Sequence, residues 1–404
     1  MSRRFPDATD SLIGVRYRTR LVRFNEVVGF ATSRGLRLRR PAAERREGTL
    51  PSPGMKDVAR QAGVSVGTVS NVLNRPDLVA PDTRRRVLGA IDALGFVRNE
   101  SARQLRAGRS RTIGLVVLDV SNPFFTDIAH GVETAATENG SVIMLCNSGQ
   151  AVEREARYLD LLEEQRVQGV LITPVGTDYS RLDVLVKRGT PVVLVDRGTE
   201  LPNLCSVAVD DVLGGFVAVS HLLERGHRHI AFAGGPLALR QVQDRHLGAV
   251  KALTDAGQKV SDLQIFETTA LTLEAGRRAG EQILDLPEAK RPTAVFCAND
   301  LMALGVLQAV VSHGLRVPGD VAIVGYDDID YAAAASVPLS SVRQPRELIG
   351  RTATELLLDE IREGTSHQHR RVIFKPELAI RASSDRRRST RARAPVARRA
   401  RPAE

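Results

Sequence analysis

The chain has 404 residues, enough for two or three domains, with 43% hydrophobic residues and a formal net charge of +10. No run approaches the roughly 18 apolar residues of a membrane span, and the charged N-terminus lacks the apolar core of a secretory signal, so a cytoplasmic protein is expected. The three cysteines, Cys146, Cys205 and Cys297, are scattered and odd in number, which does not look like a disulfide frame. They read as small buried side chains and not as metal ligands; no cofactor is expected.

Charge is unevenly spread. Residues 1–54 hold 12 Arg against 5 acidic residues, 55–110 hold 10 basic against 5 acidic, and 385–404 hold 8 Arg against 2 acidic. The remaining body, 111–384, carries −8. A basic head on an acidic body suits a protein that presents one end to phosphate. Residues 1–54 have no helical or strand periodicity. They read either as a disordered Arg-rich arm or as residues upstream of a natural start at Met55. The tail, 385–404, reads as a second disordered Arg-rich segment.

From 55 to 98 the spacing predicts three short helices. Val58, Ala59 and Ala62 share one face, and Val69, Val72 and Leu73 repeat the pattern. Gly63 lies between them, where a tight turn needs a positive φ. Ser65 is placed to cap the second helix. The outer face of that helix carries Val66, Gly67, Thr68, Ser70 and Asn71, in the position from which a helix-turn-helix reads base edges. Asn71 suits adenine, and the methyls of Val66 and Thr68 suit a thymine methyl. Pro81 opens a third helix after Ala80, a poor cap that Asp82 partly offsets through the helix dipole. Val87, Leu88, Ile91 and Leu94 form its apolar stripe. Taken alone, the pattern also fits a three-helix bundle with a polar face.

The runs Gly63-Val64-Ser65, Thr68-Val69-Ser70 and Val72-Leu73-Asn74 resemble the head of the lactose-repressor/galactose-repressor (LacI/GalR) family of bacterial transcription regulators. So do Gly95-Phe96-Val97-Arg98-Asn99 and Ala102-Arg103-Gln104-Leu105-Arg106. The resemblance covers about residues 55–384. It implies a homodimer on a palindromic duplex operator, with Ser65, Val66, Gly67, Thr68, Ser70, Asn71 and Asn74 at the DNA. It also implies a hinge helix within 99–110, carrying Ala102, Leu105 and Arg106 to the DNA. There Leu105 would wedge into the minor groove, as an apolar side chain can when it pries open a base step. The family's head begins close to the position matching Met55, which favours that start.

Beyond residue 111, apolar runs alternate with amphipathic stretches. The runs are Thr112–Leu118, Val142–Cys146, Val170–Thr173, Val192–Asp196, Ile230–Ala233, Ala294–Cys297 and Val321–Tyr326. This alternation implies α/β architecture with parallel sheets, in more strands than one modest domain needs. The resemblance implies a two-lobed, periplasmic-binding-protein-like domain of two doubly wound parallel sheets joined by three crossovers. The first lobe is expected at 111–208 plus 342–370, and the second at 209–341 plus the C-terminal strand.

Ligands of such sheets bind beyond the carboxyl ends of the strands. Asp119, Asn122, Phe124, Phe125, Asp196, Asn299 and Asp300 fall there, as do Tyr326, Asp327 and Asp328. The resemblance assigns Arg245 to effector hydroxyls or a carboxylate, Asp300 to an accepting role, Phe124 and Phe125 to the aromatic wall, and Asp196 and Gln344 to the cleft edge. One phenyl ring is expected to face the cleft, and Asp327 and Asp328 are expected to hold a loop. Carboxylates and an arginine beside a phenyl face suit a sugar.

The expected function is a repressor released from its operator by a small-molecule effector, a sugar or sugar derivative. A nucleobase or nucleoside corepressor and a solute-binding protein are the alternatives. No P-loop, nucleophile elbow or dinucleotide fingerprint follows a strand, so no enzyme is expected. His221, His227 and His229 cluster in sequence, but read as a helix end entering a buried strand. No C-terminal leucine heptad is visible, which favours a dimer over a tetramer.

Overall fold

A computed structural model of the chain describes residues 53–96, 110–199, 201–237 and 239–385. The hinge positions Ala102, Leu105 and Arg106 and both Arg-rich ends lie outside these described residues. The chain divides into two compact units between Arg98 and Asn99.

The first unit holds α1 (Met55–Ala62), α2 (Val66–Asn74) and α3 (Pro81–Leu94). Val58, Ala59, Ala62, Val69, Val72, Val87 and Ala90 are buried together. Gly63 has φ +63°, and its N–H and that of Val64 close α1 on Arg60 and Ala59 carbonyls. The Ser65 hydroxyl accepts from the Thr68 N–H at 3.1 Å, capping α2. Pro81 opens α3 with no side-chain cap from Ala80. The α3 stripe differs from expectation at one position. Leu88 is exposed, and Ala90 faces the core with Val87, Ile91 and Leu94. Val87, Ala90, Ile91 and Leu94 follow the i, i+3, i+4, i+7 spacing of one helix face, and Leu88, about 100° round from Val87, falls outside it.

The second unit contains two six-stranded sheets. The first takes β1 (Thr112–Val117), β2 (Val142–Asn147), β3 (Gly169–Ile172), β4 (Val192–Val195), β5 (Cys205–Val209) and β11 (Arg371–Phe374). Its order is β2-β1-β3-β4-β5-β11, with every pairing parallel. The second takes β6 (Ile230–Gly234), β7 (Leu263–Glu267), β8 (Ala294–Cys297), β9 (Ala322–Asp327), β10 (Ser340–Arg343) and β12 (Glu377–Ala379). Its order is β7-β6-β8-β9-β10-β12, with β12 antiparallel. The first five strands of each sheet thus share one topology, whose switch point lies between the first and third strands.

Around the sheets run α4 (Pro123–Glu138), α5 (Val152–Glu164), α6 (Ser180–Lys187), α7 (Asp211–Glu224), α8 (Arg240–Asp255), α9 (Leu273–Leu284), α10 (Asp300–Ser312), the short α11 (Asp330–Ala334) and α12 (Arg346–Glu363). The chain passes between the sheets after β5, after β10 and between β11 and β12. Two lobe boundaries therefore move. β10 runs to Arg343 in the second sheet, so 342–343 leave the first lobe; β11 joins the first sheet, so that lobe extends past 370 to Phe374. The cause is legible in the residues. Ser340 and Ser341 are buried because hydroxyl hydrogen bonds satisfy them, and β11 is a half-exposed edge strand. Neither gives an apolar run.

Helices pack in pairs through reciprocal glycines. A Cβ on Gly131 of α4 would lie 2.1 Å from the Glu347 carbonyl oxygen, and one on Gly350 of α12 would lie 2.1 Å from that of Ile128. Gly215 and Gly248 do the same for α7 and α8, and Gly276 and Gly305 for α9 and α10. Gly131→Ala should therefore force backbone apart and cost about 1–3 kcal/mol, as overpacking does. Gly89→Ala, at an α3 position with open space around it, should instead stabilise its unit by roughly 0.5–1 kcal/mol. Urea denaturation of the two variants should move in opposite directions.

Candidate functional site

The outer surface of α2 presents Val66, Gly67, Asn71 and Asn74 exposed, with Thr68 and Ser70 half-buried. The Thr68 hydroxyl lies 2.9 Å from that of Ser65. The Asn74 amide donates to the Ser70 carbonyl at 2.9 Å and to its hydroxyl at 3.2 Å. Thr68 and Asn74 are thus held locally, while Val66 and Asn71 project outward and Gly67 leaves bare backbone between them.

In the second unit, the strand ends of both sheets meet at a narrow cleft. Its walls include Asp119, Asn122, Phe124, Phe125 and Asp196 from one lobe, and Gln241, Arg245, Leu271, Asn299 and Asp327 from the other. About 30 Å³ is open to water between these walls, and a larger hollow of about 710 Å³ adjoins it, sharing Asp196 and Gln241. Asn122 and Asn299 serve twice: each caps its helix, accepting from Phe124 N–H at 3.1 Å and Met302 N–H at 2.9 Å, and each borders the cleft. Both Phe124 and Phe125 line it, edge to face with centroids 5.0 Å apart, where one ring was expected.

Arg245 is the centre of the site. It lies in the second turn of α8, which starts at Arg240. Its guanidinium donates to Asp211 at 2.8 Å and to the Ala298 carbonyl at 2.6 Å, and approaches Asp327 at 3.9 Å. It also sits 3.7 Å above the Tyr326 ring, a favourable cation–π placement. Burial alone would lower its pKa, but the pull of Asp211, Tyr326, Asp327 and Asp196 prevails and holds it firmly charged. Adjacent glycines on α7 make this possible. A Cβ on Gly214 would meet the Tyr326 hydroxyl at 2.1 Å, and one on Gly215 the Arg245 carbonyl oxygen at 1.9 Å.

The Arg245 cation faces the carboxyl groups of Asp196, Asp211 and Asp327, and burial together with this excess of acid raises the proton affinity of Asp196 and Asp327. Burial, then the Asp211 charge, raises Asp196 to about 8. Burial raises Asp327 to about 6 against the opposing pull of Arg245. Asp196 accepts from the Gln241 amide at 3.1 Å through one oxygen, and its other oxygen is buried without a hydrogen-bond partner. Gln150, Asp196 and Asp327 adopt φ of +59°, +54° and +103°, and all three line the cleft. Strained backbone of this kind gathers at ligand-binding sites.

Two expected residues lie elsewhere. Asp300 is fully buried outside the cleft wall, accepting from the Ser341 hydroxyl at 2.6 Å and the Ile329 N–H at 2.9 Å. The cap of its helix is Asn299. Gln344 reaches the site through Asp327, donating to it at 2.8 Å. Conversely, Asp327 lines the cleft where a loop role was expected; Asp328 keeps that role between Arg343 and Arg381. Gln241 was missed, although it stands four residues before Arg245 on one helix face. Asp211 was missed for lack of a partner in sequence. The histidines do not cluster: His221 meets Ser384 at 2.7 Å and His227 meets Thr293 at 2.9 Å.

A profile described as "Bacterial regulatory proteins, lacI family" matches residues 54–99, and one described as "Periplasmic binding protein-like domain" matches 219–384. The HTH-type transcriptional repressor PurR of Aliivibrio fischeri (strain ATCC 700601 / ES114) is 37% identical over 330 residues, spanning 81% of this chain and 97% of that protein. The chain belongs to the lacI family. Among solved structures, the lac repressor dimer bound to operator and the anti-inducer ONPF aligns with a TM-score of 0.71 at 28% identity, covering 82% of this chain and 99% of that one. A transcriptional regulator CelR–cellobiose complex aligns at 0.61 and 35% identity, with coverage of 82% and 99%. This family member is a DNA-binding transcriptional regulator with a helix-turn-helix head and a two-lobed effector domain. No helix among the described residues is long and apolar enough to cross a membrane.

Asp196 holds its proton more tightly folded than unfolded. Its stabilising contribution is present below the ordinary value of 3.8 and is lost as pH rises through about 8. Asp327 adds the same trend up to about 6. Urea midpoints of the whole chain measured from about pH 5 to pH 8.5 should fall less steeply in Asp196→Asn than in the parent.

Proposed function

We propose that the chain is a homodimeric cytoplasmic repressor, with no catalytic role, released from a palindromic operator when a neutral, polyhydroxylated effector such as a sugar occupies the cleft. The carboxylate excess around Arg245 carries this reading. The guanidinium is already committed to Asp211, Ala298 and Asp327, so Arg245 has little left for an anionic effector, which would also meet the Asp211 and Asp327 carboxylates. Ring hydroxyls suit the same wall. They donate to Asp327 and accept from the protonated Asp196, while Phe124 and Phe125 cover the apolar face of the ring. The cellobiose complex of a similar regulator supports the class. The cleft opens and closes across three chain crossings, and effector coupling follows from unequal affinity for the operator-competent and operator-incompetent states.

A nucleobase acting as corepressor is the second reading, because two phenyl rings in one wall also suit a planar ring. A thermal-shift screen of sugars, polyols and nucleobases, followed by operator anisotropy with each hit, separates the two. A sugar that weakens operator binding supports the proposal; a base that strengthens it supports the alternative. Asp327→Asn should weaken effector binding about tenfold or more, as expected when a charged hydrogen-bond acceptor is lost, with operator affinity retained. Asp300→Ala should instead lower stability by about 1–3 kcal/mol, the cost of unpaired buried groups.

At the head, α2 enters the major groove and Leu105 wedges the centre of the operator. Asn71→Ala should cost about 1–3 kcal/mol of operator affinity with relaxed base preference at one position. Leu105→Ala should weaken operator binding without changing effector affinity. Equal operator affinity for parent and Leu105→Ala would remove the wedge.

A further inference from the structure

The cleft lies at the carboxyl ends of the strands. At the opposite end of the first sheet, Cys205 opens β5, Glu360 sits near the end of α12, and His367 and His369 lie in the segment leading into β11. One ligand atom from each of these four residues lies within 4.8 Å of all the others. The Cys205 sulfur is 3.2 Å from His367 Nε2 and 3.8 Å from His369 Nδ1, and His369 Nδ1 is 3.9 Å from Glu360 Oε2. In a tetrahedral zinc site, with zinc–sulfur near 2.3 Å and zinc–nitrogen or –oxygen near 2.1 Å, neighbouring ligand atoms stand about 3.4–3.6 Å apart. The spacings found here are close to that arrangement.

We propose that Cys205, Glu360, His367 and His369 form a structural zinc site. Three features besides proximity support it. Glu360 Oε2 is buried and makes no hydrogen bond, so an unpartnered carboxyl oxygen stands beside the other three ligand atoms. The far nitrogen of His367, Nδ1, lies 2.7 Å from Glu363 Oε2. That contact fixes the proton on Nδ1 and turns the Nε2 lone pair toward Cys205, as carboxylates do behind metal-bound imidazoles. The Arg370 N–H donates to the Cys205 sulfur at 3.3 Å, a supporting hydrogen bond from outside the cluster to the atom that would bind the metal. One thiolate and one carboxylate neutralise a zinc dication in a site where the thiol is fully buried. Thiolate and imidazole together select zinc over magnesium or calcium. With four protein ligands the site is closed and its role is mechanical. It ties α12, β5 and the approach to edge strand β11 together, at the sheet end where the chain enters the lobe through β1.

In sequence Cys205 stands alone, as a small apolar thiol at the start of a buried strand. The signal was present as His367-x-His369 seven residues beyond Glu360, but the thiol lies more than 150 residues upstream.

The test uses the full chain without an affinity tag, stripped with a chelator and titrated with Co²⁺. One equivalent should give the intense visible bands of tetrahedral cobalt and a sulfur-to-cobalt charge-transfer band, both displaced by Zn²⁺, and Zn²⁺ alone should raise the melting temperature. Cys205→Ser and His369→Gln should abolish the charge-transfer band or the tetrahedral spectrum, while Cys146→Ser retains both. Glu363→Gln should weaken zinc about 10–100-fold, as loss of a supporting carboxylate does. Circular dichroism checks that each variant is folded; should Cys205→Ser misfold, His369→Gln decides. A folded parent with no cobalt spectrum and no zinc-dependent melting shift overturns the proposal, leaving a hydrogen-bonded cluster only. So does a spectrum that survives His369→Gln unchanged.

Discussion

The buried guanidinium of Arg245 organises the effector domain. Removing an unpaired guanidinium from water costs several kcal/mol, and its burial is sustained only when partners surround it. Arg245 obtains them from three directions: the first turn of α7, the end of β8 and the end of β9. Each partner fixes the element that carries it. The tight contact of α7 with α8, possible only through Gly215 and Gly248, sets how far the guanidinium reaches, and Gly214 admits the Tyr326 ring beneath it. Packing and charge are therefore one constraint here. The ligand preference proposed for the cleft follows from it, since a cation already enclosed by carboxylates has little left for an anion.

The two sheets repeat one strand order, and their switch points face a common cleft. Residues at these strand ends carry double duty. Asn122 and Asn299 satisfy helix N-termini that would otherwise leave N–H groups unpaired, and they border the cleft because helix starts lie at the carboxyl ends of parallel strands. The three cleft residues with positive φ show that the wall is not assembled at minimum backbone cost. Neighbouring packing has to hold them there.

Much of this was legible in the sequence. Apolar runs gave the central strands, because strands buried on both faces read as continuous hydrophobic stretches. The helix-turn-helix was visible from Gly63, Ser65 and the spacing of Val58, Val69 and Val72. What escaped was polar or remote. Ser340 and Ser341 lie in a buried strand through hydroxyl hydrogen bonds that no hydropathy pattern reveals. Asp300 and Asp327 stand at equivalent strand ends, and which of them borders the cleft depends on whether Ser341 and Ile329 occupy the carboxylate. The partners of Arg245 come from segments 34 and 53 residues away, and only the folded topology brings them together.

Neither lobe is contiguous along the chain, and this affects how the protein is made. The first lobe has five strands by Val209, yet its sixth strand and the helix that seats Gly131 come from residues 346–374. A ribosome must therefore finish the core strands of the second lobe before it supplies the covering of the first. Throughout that interval the surface reserved for α12 stays bare, and domains left incomplete with apolar surface uncovered are prone to aggregate. Biosynthesis thus places its longest exposure on the lobe that is translated first.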